Sequence, residues 1–515
     1  MVDQIATRES DVEALHRMGY AQELRRRMSG FSNFAVSFTI ISILSGCLTL
    51  YGFGMNNGGP VDLIWGWLLV GVMVTFVGLS MAEVCSSFPT AGGLYYWAAK
   101  LGGRNGPAWS WFTGWFNLLG QVAVTAGIDF GLALFADALL NLLFGYPTTP
   151  GFVVLLYAIA LFSHGLLNTF GVRLVALLSD VSVWWHIVGV VVIVAVLALV
   201  PKHHQSISFV FTSFVNNSGA DFFGATIFVF LIGLLMAQYT FTGYDASAHM
   251  TEETRNPAIA GPRGIVMSIL VSLVAGWVLL IGVTFAIQSY TAEATAVTPA
   301  AQIFIDAVGT GTAAFLLVVV VGAQFFCGMA SVTANSRMIY AFSRDGAVPG
   351  SRFWHRINKR TRTPTNSIWF AAVGAFILGV PYLWSSTAYA AVTSIATIGL
   401  YIAYGIPILL RLRAGDSFER GPWHLGRWSR PTGIIAVVWI GFIAILFILP
   451  QVFPPTILNF NYAIVAVGVV LIGTGAAWIL SARHWFKGPK IQGSADELAA
   501  IEAELSSGGT IAASA

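Results

Sequence analysis

Charge is what this chain has least of: only 10% of its 515 residues are Asp, Glu, Lys or Arg, against roughly 25% in an ordinary soluble domain. So few charges cannot solvate a globular surface, and with 56% hydrophobic residues the bilayer becomes the main solvent. Cysteine is also sparse. Cys47, Cys85 and Cys327 lie in or at the ends of apolar stretches without a CxxC pair, which argues against a disulfide framework or a zinc site. The net charge of +3 is spread over many gaps, so no basic groove and no nucleic-acid partner are expected. Gly52-x-Gly54 lacks the strand and helix of a nucleotide loop, and His203-His204 lacks further ligands. No nucleophile–base–orienter set stands out. The chain therefore reads as no enzyme, with no cofactor, no metal and no catalytic residue expected. The first ~28 residues are polar and charged, with no apolar core before a small-residue cleavage site, so a removed signal peptide is not expected either.

The positive charge that is present is arranged by alternation. Of 26 Lys and Arg residues, 25 fall in every second gap between apolar stretches, from Arg25-Arg26-Arg27 through Arg352 to Arg360 and on to Arg483, Lys487 and Lys490. Only Lys202 falls in the other set. The bias places both termini in the cytoplasm and requires an even number of crossings. At about 20 apolar residues per crossing, twelve spans follow: 32–53, 61–83, 107–140, 151–170, 177–200, 222–247, 263–288, 312–342, 366–384, 388–411, 432–450 and 460–482. The predicted fold is an all-α polytopic membrane protein, with a cytoplasmic tail at 1–31 and another at 483–515.

Spans 1 and 6 are built differently from the rest. Span 1 contains Ser42, Ser45, Gly46, Thr49, Gly52 and Gly54, and span 6 contains Gln238, Thr240, Thr242, Gly243, Tyr244 and Asp245. Polar or non-helical backbone at membrane depth is tolerated only inside protein or beside a water-filled cavity. Two interrupted spans, five apart, point to an inverted-repeat transporter with its site near the midplane. The predicted units are 32–200 (spans 1–5), 222–411 (spans 6–10) and an appendage at 432–482 (spans 11–12).

Several motifs stand in order along the chain: Gly58-Gly59-Pro60, Phe88-Pro89-Thr90-Ala91-Gly92-Gly93-Leu94-Tyr95-Tyr96-Trp97, Gly171-Val172-Arg173, Phe241 to His249, Glu252-Glu253-Thr254-Arg255-Asn256-Pro257, and Ser336-Arg337 before Ala341-Phe342-Ser343-Arg344-Asp345-Gly346. Together they resemble the amino acid–polyamine–organocation permeases, in particular the amino acid/choline branch that includes 4-aminobutyrate permeases. The resemblance implies the leucine-transporter type of 5+5 inverted repeat with broken spans 1 and 6. It places Ser45, Gly46 and Cys47 at the turn of span 1, where half-helix amides receive a carboxylate. This chain keeps only part of the usual glycine pattern there. Phe241, Thr242, Gly243 and Tyr244 would supply carbonyls and aromatic walls for an ammonium group, with Asp245 as counter-charge. His186 falls where many members carry a lysine in place of a structural sodium ion, and its titration near neutral pH suits proton coupling. Asp129 and Asp180 are weaker gating or relay candidates. Glu252 and Glu253 read as a solvated pair with Arg255.

These readings converge on a secondary active transporter in the cell membrane. Its expected substrate is a small zwitterionic amine, 4-aminobutyrate or another amino acid, with a proton as the coupling ion. A choline or polyamine carrier, or an amino acid exchanger, stays open beside it. A channel would need a continuous polar pore rather than two isolated breaks.

Overall fold

The structure, a computed structural model, describes residues 11–170, 172–358, 360–385 and 387–507. The ends of both predicted tails and Gly171 of the third motif lie outside the described residues.

Among the described residues, eleven helices are long and apolar enough to cross a membrane. The sixth predicted span is present but short, Ala225–Thr240, because the chain leaves the helix at Phe241. Span 1 runs as Gly30–Ile41, Ile43–Thr49 and Tyr51–Asn56. Spans 2 to 5 are Asp62–Ser87, Gly106–Phe144, Pro150–Phe170 and Val172–Leu199. Span 6 resumes as the single turn Ala246–His249. Spans 7 to 12 are Pro257–Phe285, Pro299–Arg344, Thr365–Gly379, Ala388–Ala414, Ser429–Leu446 and Ala463–Ala477.

Local chemistry explains the ends. Pro107, Pro257 and Pro299 sit in the first turns of spans 3, 7 and 8, where an amide donor is dispensable. Gly145 closes span 3 in the left-handed conformation. Span 3 has 39 residues, about 58 Å at the helical rise, so it projects well beyond a hydrocarbon core of about 30 Å. Span 8 starts earlier than predicted because its helix is merged across a kink at Gly309 (φ 76°, ψ 166°), which separates a short leading segment from the crossing itself.

Packing sorts the spans into two groups. Span 7 lies along spans 1 and 2 beside the broken halves of spans 1 and 6, while span 3 is flanked by spans 4, 8, 9 and 10. Spans 5 and 10 bridge the groups, and span 11 leans on spans 2 and 10. The last contact is fixed by buried Glu83, which pairs with Arg411 at 3.3 Å and accepts a bond from the Ser429 hydroxyl. Both described ends meet on one face: the Gln492 amide donates to the Gly19 carbonyl at 2.9 Å, and the Ala21 amide to Gln492 Oε1 at 2.7 Å. This terminal face agrees with an even number of crossings.

On the opposite face, the turn Tyr290–Ala294 covers the end of span 1, whose Asn56 donates to the Ala294 carbonyl at 3.1 Å. Burial pushes the Glu293 carboxyl in this turn up to about 7, against the opposing effect of donors at Gln288 and Ser289. A raised carboxyl pKa adds stability at low pH that is lost as pH rises through the folded-state value. The melting temperature should therefore fall between about pH 4.5 and about pH 7, and Glu293→Gln should flatten that slope in thermal melts of the detergent-solubilised protein.

Candidate functional site

The two interruptions face each other across one level of the molecule. Span 1 breaks at Ser42, which takes a left-handed conformation (φ 35°), and span 6 breaks at Gly243 (φ 100°). Gly243 is required twice over: its φ is one L side chains rarely adopt, and an added Cβ would lie 2.2 Å from Ile40 Cγ2. Side chains of span 1 hold the far half of span 6. Ser37 Oγ donates to the Tyr244 carbonyl at 2.9 Å and accepts from the Ser247 amide at 2.9 Å. Asn33 Nδ2 donates to the Ser247 carbonyl and to Thr254 Oγ1, each at 2.9 Å. Backbone freed by the break is thus satisfied by serine and asparagine rather than by water.

The turn of span 1 lies three residues earlier than the sequence suggested. The amides of Ser45 and Gly46 bond to the Ser42 carbonyl at 2.8 and 2.9 Å, and Cys47 lies inside the half-helix. Ser45, Gly46 and Cys47 therefore present no free turn amides. The donors at the half-helix N-terminus are Ile43 and Leu44, which precede the first intrahelical bonds. Gly46 instead allows close approach, since a Cβ there would sit 2.5 Å from Thr240 Oγ1 of span 6.

The span 6 residues also divide. Phe241 turns away and stacks on Trp67 of span 2 at 4.3 Å, so it is no wall of the gap between breaks. The Thr242 hydroxyl donates to the Tyr239 carbonyl at 2.6 Å, and Tyr244 packs on Tyr404 of span 10 with ring centroids 5.1 Å apart. Asp245 is fully buried with both oxygens occupied: Oδ1 accepts from the Tyr404 hydroxyl and Oδ2 from Gln121 Nε2, each at 2.7 Å. Its helical position turns it toward spans 3 and 10, so in this conformation it is not the open counter-charge expected.

Two polar side chains that sequence reasoning passed over border the gap. Gln324 of span 8 donates to Thr49 Oγ1 at 3.2 Å, and the Tyr239 hydroxyl sits against Gly127 of span 3. Tyr239 Oη and Gln324 Oε1 are buried without a hydrogen-bond partner among the described residues. Buried polar atoms of this kind cost free energy unless something answers them, so they mark where a ligand's polar groups fit. A polar glutamine in an apolar span was the available signal for Gln324. Tyr239 gave none beyond its nearness to the break.

His186 meets the span 1 break directly. Its Nδ1–H donates to the Ser182 carbonyl at 2.8 Å, and Ser42 Oγ lies 2.7 Å from Nε2. With Nδ1 committed as donor, the Ser42 hydroxyl donates to Nε2 and the neutral ring is fully satisfied. Asp129 pairs with His164 of span 4 at 2.7 Å. Asp180 is half-buried and accepts from Ser32 Oγ at 3.2 Å.

Two cavities approach this level. One of about 400 Å³ opens on the face opposite the termini and is lined by Thr49, Leu50, Phe53 and Tyr389. Another of about 600 Å³ lies toward the terminal face, among Val36, Asn168, Ser179, Glu253, Thr333 and Arg337. Between the breaks and the terminal face stands a set of buried ion pairs. Glu253 pairs with Arg337 at 2.8 Å and Glu252 with Arg344 at 3.2 Å, so neither is the solvated partner of Arg255. The helical turn Thr251–Glu253 tucks both carboxylates under the end of span 8. Asp345 accepts from Tyr95 and Tyr20 and from the Lys490 amide; burial raises its carboxyl above the ordinary range despite the opposing Arg344 charge.

The family model described as amino acid permease matches residues 28–472. The chain belongs to the amino acid permease family. It is 44% identical to amino-acid permease BAT1 of Arabidopsis thaliana, over 92% of this chain and 95% of that one. It is also 44% identical to the BAT1 homolog of Oryza sativa subsp. japonica (92% and 94% covered), and 31% identical to amino-acid permease 2 of Neurospora crassa (93% and 89%). The permease is accordingly a multi-pass membrane transporter and not an enzyme.

Removing one partner of a buried pair leaves an uncompensated charge at a cost of roughly 3–5 kcal/mol. Arg344→Met should therefore lower the melting temperature sharply, and adding Glu252→Gln should recover part of the loss. Equal melting of the single variant and wild type would show that the pair does not hold this face together.

Proposed function

We propose that this permease is a secondary active transporter of a small zwitterionic amine, 4-aminobutyrate or another amino acid, working by alternating access across the cell membrane. The observation that carries the reading is the opposition of the breaks at Ser42 and Gly243, with Tyr239 Oη and Gln324 Oε1 buried nearby without a hydrogen-bond partner among the described residues. In this reading the half-helix amides of Ile43 and Leu44 take the carboxylate, because aligned peptide dipoles make that end locally positive. Ser45, Gly46 and Cys47 form the wall behind it. The backbone around Thr242, Gly243 and Tyr244, with the Tyr239 ring, receives the ammonium group, while Phe241 buttresses the break from span 2. The relatives named as amino-acid permeases support the substrate class.

Residues 32–200 and 222–411 act as inverted repeats, with spans 11 and 12 appended and the terminal face in the cytoplasm, as the Lys and Arg alternation supports. Span 1, span 2, span 6 and span 7 move as a bundle against span 3 and its neighbours. A proton drives uptake. At His186, a proton added to Nε2 reverses the bond to Ser42, because an imidazolium only donates; the Ser42 hydroxyl hydrogen is then free to turn into the break.

In sodium-free proteoliposomes, labelled 4-aminobutyrate should accumulate when a proton gradient is imposed and only equilibrate without one. Excess cold amino acids and choline, added as competitors, rank the substrate. His186→Ala should alter the pH dependence of that uptake; an unchanged profile would leave His186 as a structural anchor of the break.

A further inference from the structure

His249 lies one helical turn beyond Asp245, fully buried, with Nε2 3.3 Å from Asp245 Oδ2. Its other nitrogen decides its state. Nδ1 lies 2.8 Å from the Ala91 carbonyl, which only accepts, so Nδ1 carries a hydrogen. In a neutral ring Nε2 then holds a lone pair that faces the carboxylate oxygen directly. That contact is repulsive, and the lone pair is answered among the described residues by one long bond, accepted from Asn117 Nδ2 at 3.4 Å. One added proton removes the conflict, either as imidazolium donating to carboxylate or as carboxylic acid donating to Nε2.

We propose that Asp245 and His249 together hold one exchangeable proton, taken up and released in the transport cycle, and that this pair sets the closure of the terminal face. This proton site deepens the proton-coupled reading above and rests on that reading for its part in transport. Proton binding consumes one H⁺ from solvent and converts a carboxylate facing a lone pair into a closed hydrogen bond; release reverses it, with no other bond made or broken.

The surroundings suit a titrating pair. Span 3 contributes Gln121 and Asn117, and span 10 contributes Tyr404, with Tyr401 packed beside it at 5.2 Å. Tyr244 adjoins Asp245 on span 6 and packs on Tyr404. Span 8 reaches the pair through Asn335, which donates to the Gln121 carbonyl at 3.1 Å. The charged groups on the terminal side are Glu252 and Arg344, and the link to them is short. Ala91 accepts from His249 with its carbonyl and donates to Glu252 Oε1 with its amide at 3.0 Å. The same residue thus touches both the proton site and the Glu252–Arg344 pair. Because Asp245 and His249 sit on the moving span 6 while Gln121 and Asn117 sit on span 3, protonation also changes what joins the two groups of spans.

Two readouts test the pair. The first needs no substrate: pH-difference infrared spectra of the full-length protein in liposomes, with ring-labelled histidine to mark imidazole bands. A carboxyl or imidazole transition should appear in wild type and vanish in His249→Gln and Asp245→Asn. Should those variants fail to fold, Tyr404→Phe preserves the ring and removes one donor to the carboxylate. That loss should move the midpoint of the transition. An unmoved midpoint, or no transition at all in wild type, would overturn the proposal. The second readout is 4-aminobutyrate transport: His249→Gln should keep counterflow exchange and lose proton-driven accumulation. Retained accumulation would overturn the pair's part in coupling. Absent accumulation and exchange in wild type would overturn the transport reading instead, leaving the spectra to decide the proton site.

Discussion

Every backbone amide and carbonyl placed in hydrocarbon must find a partner within the protein, and the whole arrangement follows from how two helices break without violating that rule. At Ser42 and Gly243 the chain gives up helical bonds; Ser37 and Asn33 answer the backbone of Tyr244 and Ser247 beyond the span 6 break, and His186 holds the Ser42 hydroxyl at the span 1 break. These partners come from neighbouring spans. A broken span 1 therefore needs spans 5 and 6 beside it, and a broken span 6 needs span 1. The pairing of the interruptions is a consequence of their chemistry rather than an added feature.

From the breaks outward the contacts form a continuous path to the terminal face. Tyr244 and Asp245 hang from the span 6 break, His249 follows one turn later, and Ala91 joins it to Glu252 and Arg344. Arg344 in turn lies over the Tyr20 ring at 3.8 Å, and Tyr20 reaches Asp345. Buried charges of this sort are weak sources of stability, because desolvation offsets attraction. They are better suited to discrimination between two arrangements, since a pair is favourable only while its geometry holds. A terminal face that is specific without being very stable suits the alternating access proposed above.

Much of this was legible in the amino-acid sequence. The alternation of Lys and Arg marks twelve crossings and a shared side for the termini because loop charge is a topological signal independent of packing. The two breaks could be located from glycine and hydroxyl residues in otherwise apolar runs, span 6 at Gly243 itself. Span 1 was displaced by three residues: Ser45-Gly46 looks like the weaker helix, yet Ser42 takes the left-handed turn because His186, far away in sequence, holds its hydroxyl. The orientation of Asp245, the turning of Phe241 onto Trp67 and the burial of Glu252 and Glu253 under span 8 are equally products of tertiary contacts. Helical periodicity cannot rank the faces of a span that is apolar all round.

The central claim is that the two breaks jointly form the amino acid site. Its most direct test is an experimental structure of the permease with 4-aminobutyrate or its best competing amino acid bound. The carboxylate should lie within hydrogen-bond distance of the Ile43 and Leu44 amides, and the amine at the backbone beside Gly243. A ligand seated in either vestibule and touching neither break would contradict the claim.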